Sequence, residues 1–303
     1  MTRPAQRLLL VHAHPDDESI GNGATMAKYV AEGRGVTLVT SNAGEMGEVL
    51  VPELEHLAAD RDNTLGEHRR GELADAMAAL GVTDYRFLGG YGTYSDSGMA
   101  WHEDGHAIAA PNTPDNAFSK VDLTEAADKL VAIIREVQPQ VMVTYDQFGG
   151  YGHPDHIQAH RVAMYAAQLA AVASYRSDLG EPWEISKIYW NAMSWSMMRD
   201  GMKAARDAGV ETPFSGTDLD GPPPFFAVDD DAIAARIDGT DHFDQKMAAL
   251  RAYPTQIAAD GPFFSMANAQ GGSAFGYEVY RLAAGTKGPT GPSGFEEDLF
   301  AGL

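Results

Sequence analysis

The sequence predicts an α/β fold: a mostly parallel, doubly wound, Rossmann-like sheet flanked by helices, with a smaller C-terminal addition. Three observations carry this prediction. Short apolar runs at residues 8–11 and 141–144 read as strands buried on both faces. Between such runs lie segments of helical periodicity, the alternation of a parallel sheet with crossover helices. Both runs end in polar clusters, where ligands of open α/β sheets sit, outside the carboxyl ends of the strands.

In chain order, the strand at 8–11 leads into His12-Ala13-His14-Pro15-Asp16-Asp17-Glu18-Ser19. Residues 23–32 are helical and close at Gly33, a natural left-handed C-terminal position. A β-branched strand at 36–40 precedes a polar loop at 41–48. Residues 53–80 are largely helical up to Gly81, and 85–88 form a short strand. The stretch 89–118, rich in Gly, Pro, Asp and Asn, is expected to be an irregular loop that orders over a ligand. Residues 121–137 place Leu123, Ala127, Leu130, Ile133, Ile134 and Val137 on one helical side, and Pro139 stops them before the strand at 141–144.

A helix is expected from Pro154 to about Tyr175, with Asp155 in its first turn as an N-terminal cap. Beyond residue 180 the pattern weakens. A strand at 185–190, a helix at 194–208, a rigid connector at 221–226 and a helix at 243–253 remain legible, and the tail at 285–303 reads as loose. Residues 1–180 are therefore taken as the α/β unit carrying the polar clusters, and 181–303 as the part that completes the fold and its cleft.

Composition narrows the function. A formal charge of −21 over 303 residues, with no Lys/Arg-rich segment, disfavours nucleic acid and anionic membrane partners. The absence of cysteine removes disulfides, thiolate nucleophiles and sulfur-ligated zinc. The opening residues lead into a run of only four apolar residues before His12, too few for a secretory leader, and no run approaches the roughly 20 apolar residues of a membrane span. A cytoplasmic protein is expected, and the sequence does not set its oligomeric state. Gly21-Asn22-Gly23 lacks the third glycine of a dinucleotide fingerprint.

The second cluster is Tyr145-Asp146-Gln147-Phe148-Gly149-Gly150-Tyr151-Gly152-His153-Pro154-Asp155-His156. If the two strands are parallel neighbours, both clusters meet in one crevice. Gathering imidazoles and adjacent carboxylates there is costly unless a dication offsets the repulsion and lost hydration. Two imidazoles and one carboxylate leave coordination positions open, as a catalytic site requires, and suit Zn²⁺ or Fe²⁺. Such an ion lowers the pKa of its water to about 7, and the carboxylate left free of the pair Asp16-Asp17 can take the proton. Spacing does not choose between His12 and His14, nor between His153 and His156, and His160 is a further rival.

The segments His14-Pro15-Asp16-Asp17-Glu18 and Gly152-His153-Pro154-Asp155-His156, in this order, resemble the metal-dependent sugar N-deacetylases of the PIG-L/LmbE family. Gly44-Glu45-Met46-Gly47-Glu48, Arg69-Arg70-Gly71-Glu72-Leu73 and Ser95-Asp96-Ser97-Gly98-Met99 extend the likeness toward the actinobacterial branch that deacetylates N-acetylglucosaminyl-inositol in mycothiol synthesis. The resemblance implies one metal ion per subunit on His14, Asp17 and His156, with Asp16 as general base. It implies His153 as general acid or oxyanion partner, tuned by Asp155, and Tyr151 as a loop tyrosine closing on the acetyl carbonyl. Arg69 and Asp96, with Glu48 as a weaker candidate, would hold the hydroxyls of a small glycoside substrate.

One departure stands out: many relatives carry a histidine before Ser/Thr-Gln late in the chain, where this one reads Ala252-Tyr253-Pro254-Thr255-Gln256, leaving Gln256 as a minor contact. A sister amidase that cleaves mycothiol S-conjugates is the nearest alternative. It tends to have a lysine after its metal motif, and Ser19-Ile20-Gly21-Asn22 has none. A non-catalytic metal- or sugar-binding protein would be expected to lose Asp16 or His153 first, and both are present.

Overall fold

The structure is a computed structural model that describes residues 4–207, 209, 216–261, 264 and 275–303. Its strands are β1 (Arg7–His12), β2 (Gly35–Thr40), β3 (Asp84–Phe87), β4 (Met99–Trp101), β5 (Ala107–Ala109), β6 (Val141–Thr144), β7 (Lys187–Ala192), β8 (Ala235–Asp238) and β9 (Tyr277–Ala284). Its helices are α1 (Asp17–Ala31), α2 (Leu65–Leu80), α3 (Leu123–Val137), the single turn α4 (Gly149–Gly152), α5 (Pro154–Ala170), α6 (Trp195–Asp207) and α7 (Phe243–Arg251).

Seven strands form one sheet in the order β3-β2-β1-β6-β7-β9-β8, and β4 pairs with β5 in a separate hairpin. The pairings from β3 through β7 are parallel, whereas β9 runs antiparallel to both β7 and β8. After β1 the chain builds outward through β2 and β3, then returns to lay β6 on the other side of β1. The loops after β1 and β6 therefore open at a topological switch point, where crevices form.

Alternation along β1 explains why this strand is central. Leu8 and Leu10 pack with Met26, Tyr29, Met77 and Leu250 on one face of the sheet. Leu9 and Val11 pack with Leu130, Ile134, Val162 and Ala163 on the other. All four β1 residues are fully buried, so both helical layers depend on this strand.

Several expectations need correction. Helix α1 begins at Asp17 rather than residue 23, so Asp17 and Glu18 sit on its first turn and Asp16 is its N-cap. The helix expected over 53–80 is two pieces, a 3₁₀ segment at Pro52–Leu57 and α2, because residues 58–64 turn. The segment 89–118 is not structureless: it holds the β4–β5 hairpin and is tied down by a bridge between Ser95 and Ala117. Helix α5 ends at Ala170, short of Tyr175. Ala208, the expected end of α6, and Met1 to Arg3 lie outside the described residues.

The tail expected to be loose is packed. Glu296, Leu299 and Phe300 are buried, and Glu296 accepts from Lys187 Nζ at 2.6 Å and from Tyr189 OH at 2.8 Å. Lys187 and Glu296 are almost wholly removed from solvent, so deleting one charge strands the other. Glu296→Ala is expected to cost about 3–5 kcal/mol of unfolding free energy, read from denaturant melts. Among the described residues, no helix is long and apolar enough to cross a membrane.

Candidate active site

The parallel pairing of β1 with β6 brings the two polar clusters together. His14 points Nδ1 at Asp17 Oδ2, 3.4 Å away, and Asp17 Oδ1 lies 3.4 Å from His156 Nε2. Two donors bound at roughly 2.0–2.1 Å to a tetrahedral ion stand about 3.3 Å apart, so each of these separations is compatible with a pair of ligands on one cation.

Protonation supports that reading. His156 Nδ1 meets the Gly149 carbonyl at 3.1 Å, which fixes the proton there and leaves a lone pair on Nε2. Among the described residues that buried Nε2 has no hydrogen-bond partner. Behind His14, Nε2 lies 3.3 Å from Asp155 and 3.5 Å from Asp96. Burial works to lower the His14 pKa, but Asp96, Asp155 and Asp17 outweigh it and hold the ring well above its usual value. A site that draws a proton this strongly is short of positive charge, which a dication supplies.

His153 lies close enough to be a rival ligand, its donor atom within 4.8 Å of those of His14 and His156. Its hydrogen bonding separates it from them. It is the N-cap of α5, and its Nδ1 accepts from the Asp155 backbone N–H at 3.1 Å. That bond assigns the remaining proton to Nε2, making His153 a neutral donor toward the cleft. Burial, followed by the neighbouring His14 and His156 rings, pushes its pKa down to about 2. The expected cap, Asp155, is thus replaced by His153. Nor does the Asp155 carboxylate tune His153: it is bonded to His14, to Asn42 Nδ2 at 3.0 Å, and to the Ser97 amide at 3.0 Å and hydroxyl.

Asp16 has φ 113° and ψ −38°, a left-handed conformation that an aspartate adopts only under constraint. Arg69 supplies the constraint, bonding the Pro15 carbonyl and, at 3.0 Å, Asp16 Oδ2, while its Nη1 holds the Gly44 carbonyl at 2.9 Å. Burial raises the Asp16 pKa, with the Arg69 charge opposing, so the carboxylate is more basic than usual. Arg69, expected on the substrate, is occupied first in positioning Asp16. Asp96 is similarly engaged: it accepts from the Gly98 amide at 2.8 Å and the Met46 amide at 3.0 Å.

His14, Asp16, Asp17, Glu48, Arg69, Asp96, Tyr151, His153 and Gln256 all border one cleft of about 420 Å³. Glu48 is exposed at its lip, and Gln256 Nε2 is bonded to the Glu48 carbonyl at 2.9 Å. The Tyr151 ring lies 5.1 Å from His156 and stacks on Trp101 at 5.9 Å. Burial, then the Asp17 charge, holds its phenol well above the usual range, so it stays a donor. A larger groove of about 930 Å³ alongside, behind Glu45 to Val49, contains none of the imidazoles. The rival ligands are placed elsewhere: His12 Nε2 bonds Asn22 at 2.9 Å, and His160 bonds the Tyr145 carbonyl at 3.0 Å.

With this geometry in view, a sequence profile of PIG-L, described as GlcNAc-PI de-N-acetylase, matches residues 9–167. The chain belongs to the PIG-L family. A 1D-myo-inositol 2-acetamido-2-deoxy-α-D-glucopyranoside deacetylase of Nocardioides sp. is 66% identical over 98% of this chain and 99% of its own. An enzyme of the same name from Kribbella flavida is 58% identical over 99% of both chains. Among solved structures, the N,N'-diacetylchitobiose deacetylase of Pyrococcus horikoshii shares the fold, with a TM-score of 0.59, 19% identity, and coverage of 91% of this chain and 83% of that one. This PIG-L member is an amide hydrolase acting on N-acetyl groups.

Sequence reasoning missed three residues that hold the PIG-L site in shape. Tyr145 OH donates to Asp17 Oδ2 at 2.7 Å and accepts from the Ala13 amide at 2.9 Å. Asn42 and Ser97 converge on Asp155. Tyr145 follows β6 directly and Asn42 lies two residues past β2, so their positions at strand ends were the available signal. Partners behind metal-ligating histidines contribute about 10–100-fold each to metal affinity. Asp155→Asn is therefore expected to weaken metal binding by that factor, measured by competition with a chromophoric chelator.

Proposed function

We propose that this enzyme removes the acetyl group from 1D-myo-inositol 2-acetamido-2-deoxy-α-D-glucopyranoside, with one Zn²⁺ held by His14, Asp17 and His156. The observation that carries the reading is Asp17 set 3.4 Å from both His14 and His156, flanked by a basic Asp16 and a neutral, proton-bearing His153. The names of the full-length relatives supply the substrate. When bound, the ion supplies Lewis acidity to the acetamide carbonyl and lowers the pKa of a water.

Asp16, held by Arg69, takes the proton of the attacking water. His153 Nε2–H, aimed by the cap bond at its other nitrogen, donates to the oxygen that gains charge as the carbonyl becomes tetrahedral. Tyr151 OH is the second donor from the glycine loop. The proton taken by Asp16 is then available to the departing amine, leaving acetate and the free glucosaminyl-inositol. Asp96, Arg69, Glu48 and Gln256 edge the part of the cleft that receives the hydroxyl-rich sugar and inositol. A neutral polyol needs such directional polar groups and no basic pocket.

The test is amine release from this substrate and from a mycothiol S-conjugate in parallel, using metal-stripped, zinc-restored and iron-restored protein. Zinc-dependent release from the acetamide is expected. Release from the S-conjugate alone would assign the site to the amidase instead, and metal uptake without release from either would make the chain a binding protein.

A further inference from the structure

The β4–β5 hairpin carries a second group of metal-binding donors that the deacetylation does not use. His102 N–H donates to the His106 carbonyl at 2.9 Å, and Gly105 N–H to the His102 carbonyl at 2.9 Å, closing a tight turn in which Gly105 takes φ 84°. This turn sets the two imidazoles side by side on the ribbon, ring centroids 4.6 Å apart and planes inclined by 26°. Asp104, at the tip, reaches back so that its Oδ2 lies 3.2 Å from His102 Nδ1. One donor atom from each of His102, Asp104 and His106 lies within 4.8 Å of the other two.

We propose that His102, Asp104 and His106 form a second, surface site for a divalent transition-metal ion such as Zn²⁺ or Ni²⁺. Imidazole and carboxylate together select this class of ion over Mg²⁺ or Ca²⁺, which prefer all-oxygen shells. The Asp104–His102 separation matches the roughly 3.3 Å edge of a tetrahedral shell with ligands at about 2.0–2.1 Å. The ion would take the place of a long hydrogen bond, 3.2 Å from the Asp104 amide to His102 Nδ1, at an exposed turn. A formal charge of −21 favours cation approach. Water completes the shell, since Asp104 is exposed and the two histidines are only partly covered.

This site is distinct from the interior one, because none of its three residues borders the catalytic cleft. It is also weaker. The interior His14 has Asp155 behind its far nitrogen, and His156 has the Gly149 carbonyl. Among the described residues, no carboxylate or carbonyl stands behind either hairpin imidazole. With partners of that kind worth about 10–100-fold each, the hairpin site is expected to bind at least about 10²-fold less tightly.

The decisive measurement is zinc bound per chain after equilibrium dialysis, comparing wild type with the double variant His102→Ala/His106→Ala. Wild type is expected to take up one equivalent more, whatever the interior site holds, and Asp104→Asn to weaken that extra equivalent about 10-fold. Unchanged deacetylation and thermal melting by the double variant, at one equivalent of zinc, would show that only the hairpin is altered. Ni²⁺ is also expected to quench the emission of the adjacent Trp101 in wild type and not in the double variant. Equal zinc uptake by the two proteins across the dialysis series would overturn the proposal.

Discussion

Asp16→Asn is expected to lower kcat by about 10²–10⁴-fold, the range for removing a general base, with metal content unchanged. The asparagine keeps the size of the side chain and can still meet Arg69, so the strained backbone at φ 113° should survive. What it loses is a carboxylate whose basicity burial has raised. KM should stay near wild type, because Asp16 acts on the water rather than on the sugar. The pH profile gives an independent check. The active form is the carboxylate, so kcat/KM falls as pH drops through the raised pKa, and this limb lies above the ordinary carboxylate range near 4. In the variant the limb should vanish from the residual activity. A limb that persists unchanged in Asp16→Asn would assign the base elsewhere.

His156→Ala is expected to abolish activity at stoichiometric metal. If about 10–16 kcal/mol of metal binding is shared among the three protein ligands, each is worth roughly 3–5 kcal/mol, or about 10²–10⁴-fold in affinity. The lost atom is the buried Nε2, which lies 3.4 Å from Asp17 Oδ1 and has no hydrogen-bond partner among the described residues. Excess metal should restore part of the activity, which removal of a merely structural imidazole would not allow. The same linkage predicts that adding metal to stripped wild type raises Tm. At a free concentration of 1,000 times Kd, the stabilisation is about 4 kcal/mol. The two experiments separate roles within the site: Asp16→Asn keeps metal and loses turnover, whereas His156→Ala loses both.

The donor pattern around His153 shows where local sequence reaches its limit. His-Pro-Asp-His places an imidazole just before a helix and another inside its first turn, which predicts a site but not which ring holds the metal. The proposed roles rest on two bonds, from the Asp155 amide to His153 and from His156 to the Gly149 carbonyl. Each fixes one tautomer, and a tautomer depends on three-dimensional partners rather than on spacing. Arg69 makes the same point. Its residue type suits a sugar contact, but the fold brings it under Asp16 from 53 residues away and engages it there.

The sequence by itself determined the central strands, the helices that cover them and the two polar clusters at the strand ends. Those features rest on local pattern: apolar runs, 3.6-residue periodicity, and the Gly and Pro residues that stop elements. It did not disclose β8, because a four-residue Ala-Arg-Ile-Asp strand has no periodic signature and exists only through antiparallel pairing with the distant β9. It did not disclose the buried tail, whose Glu296 meets Lys187 from 109 residues away. Nor did it disclose the carboxylate behind His14, for Asp155 is gripped by Asn42 and Ser97, 113 and 58 residues distant. Residue types and local spacing fixed what chemistry the chain could hold. Only the crossover of β6 onto β1 decided which groups face one another, because hydrogen bonds and coordination edges act over about 3 Å and depend on where distant segments are packed.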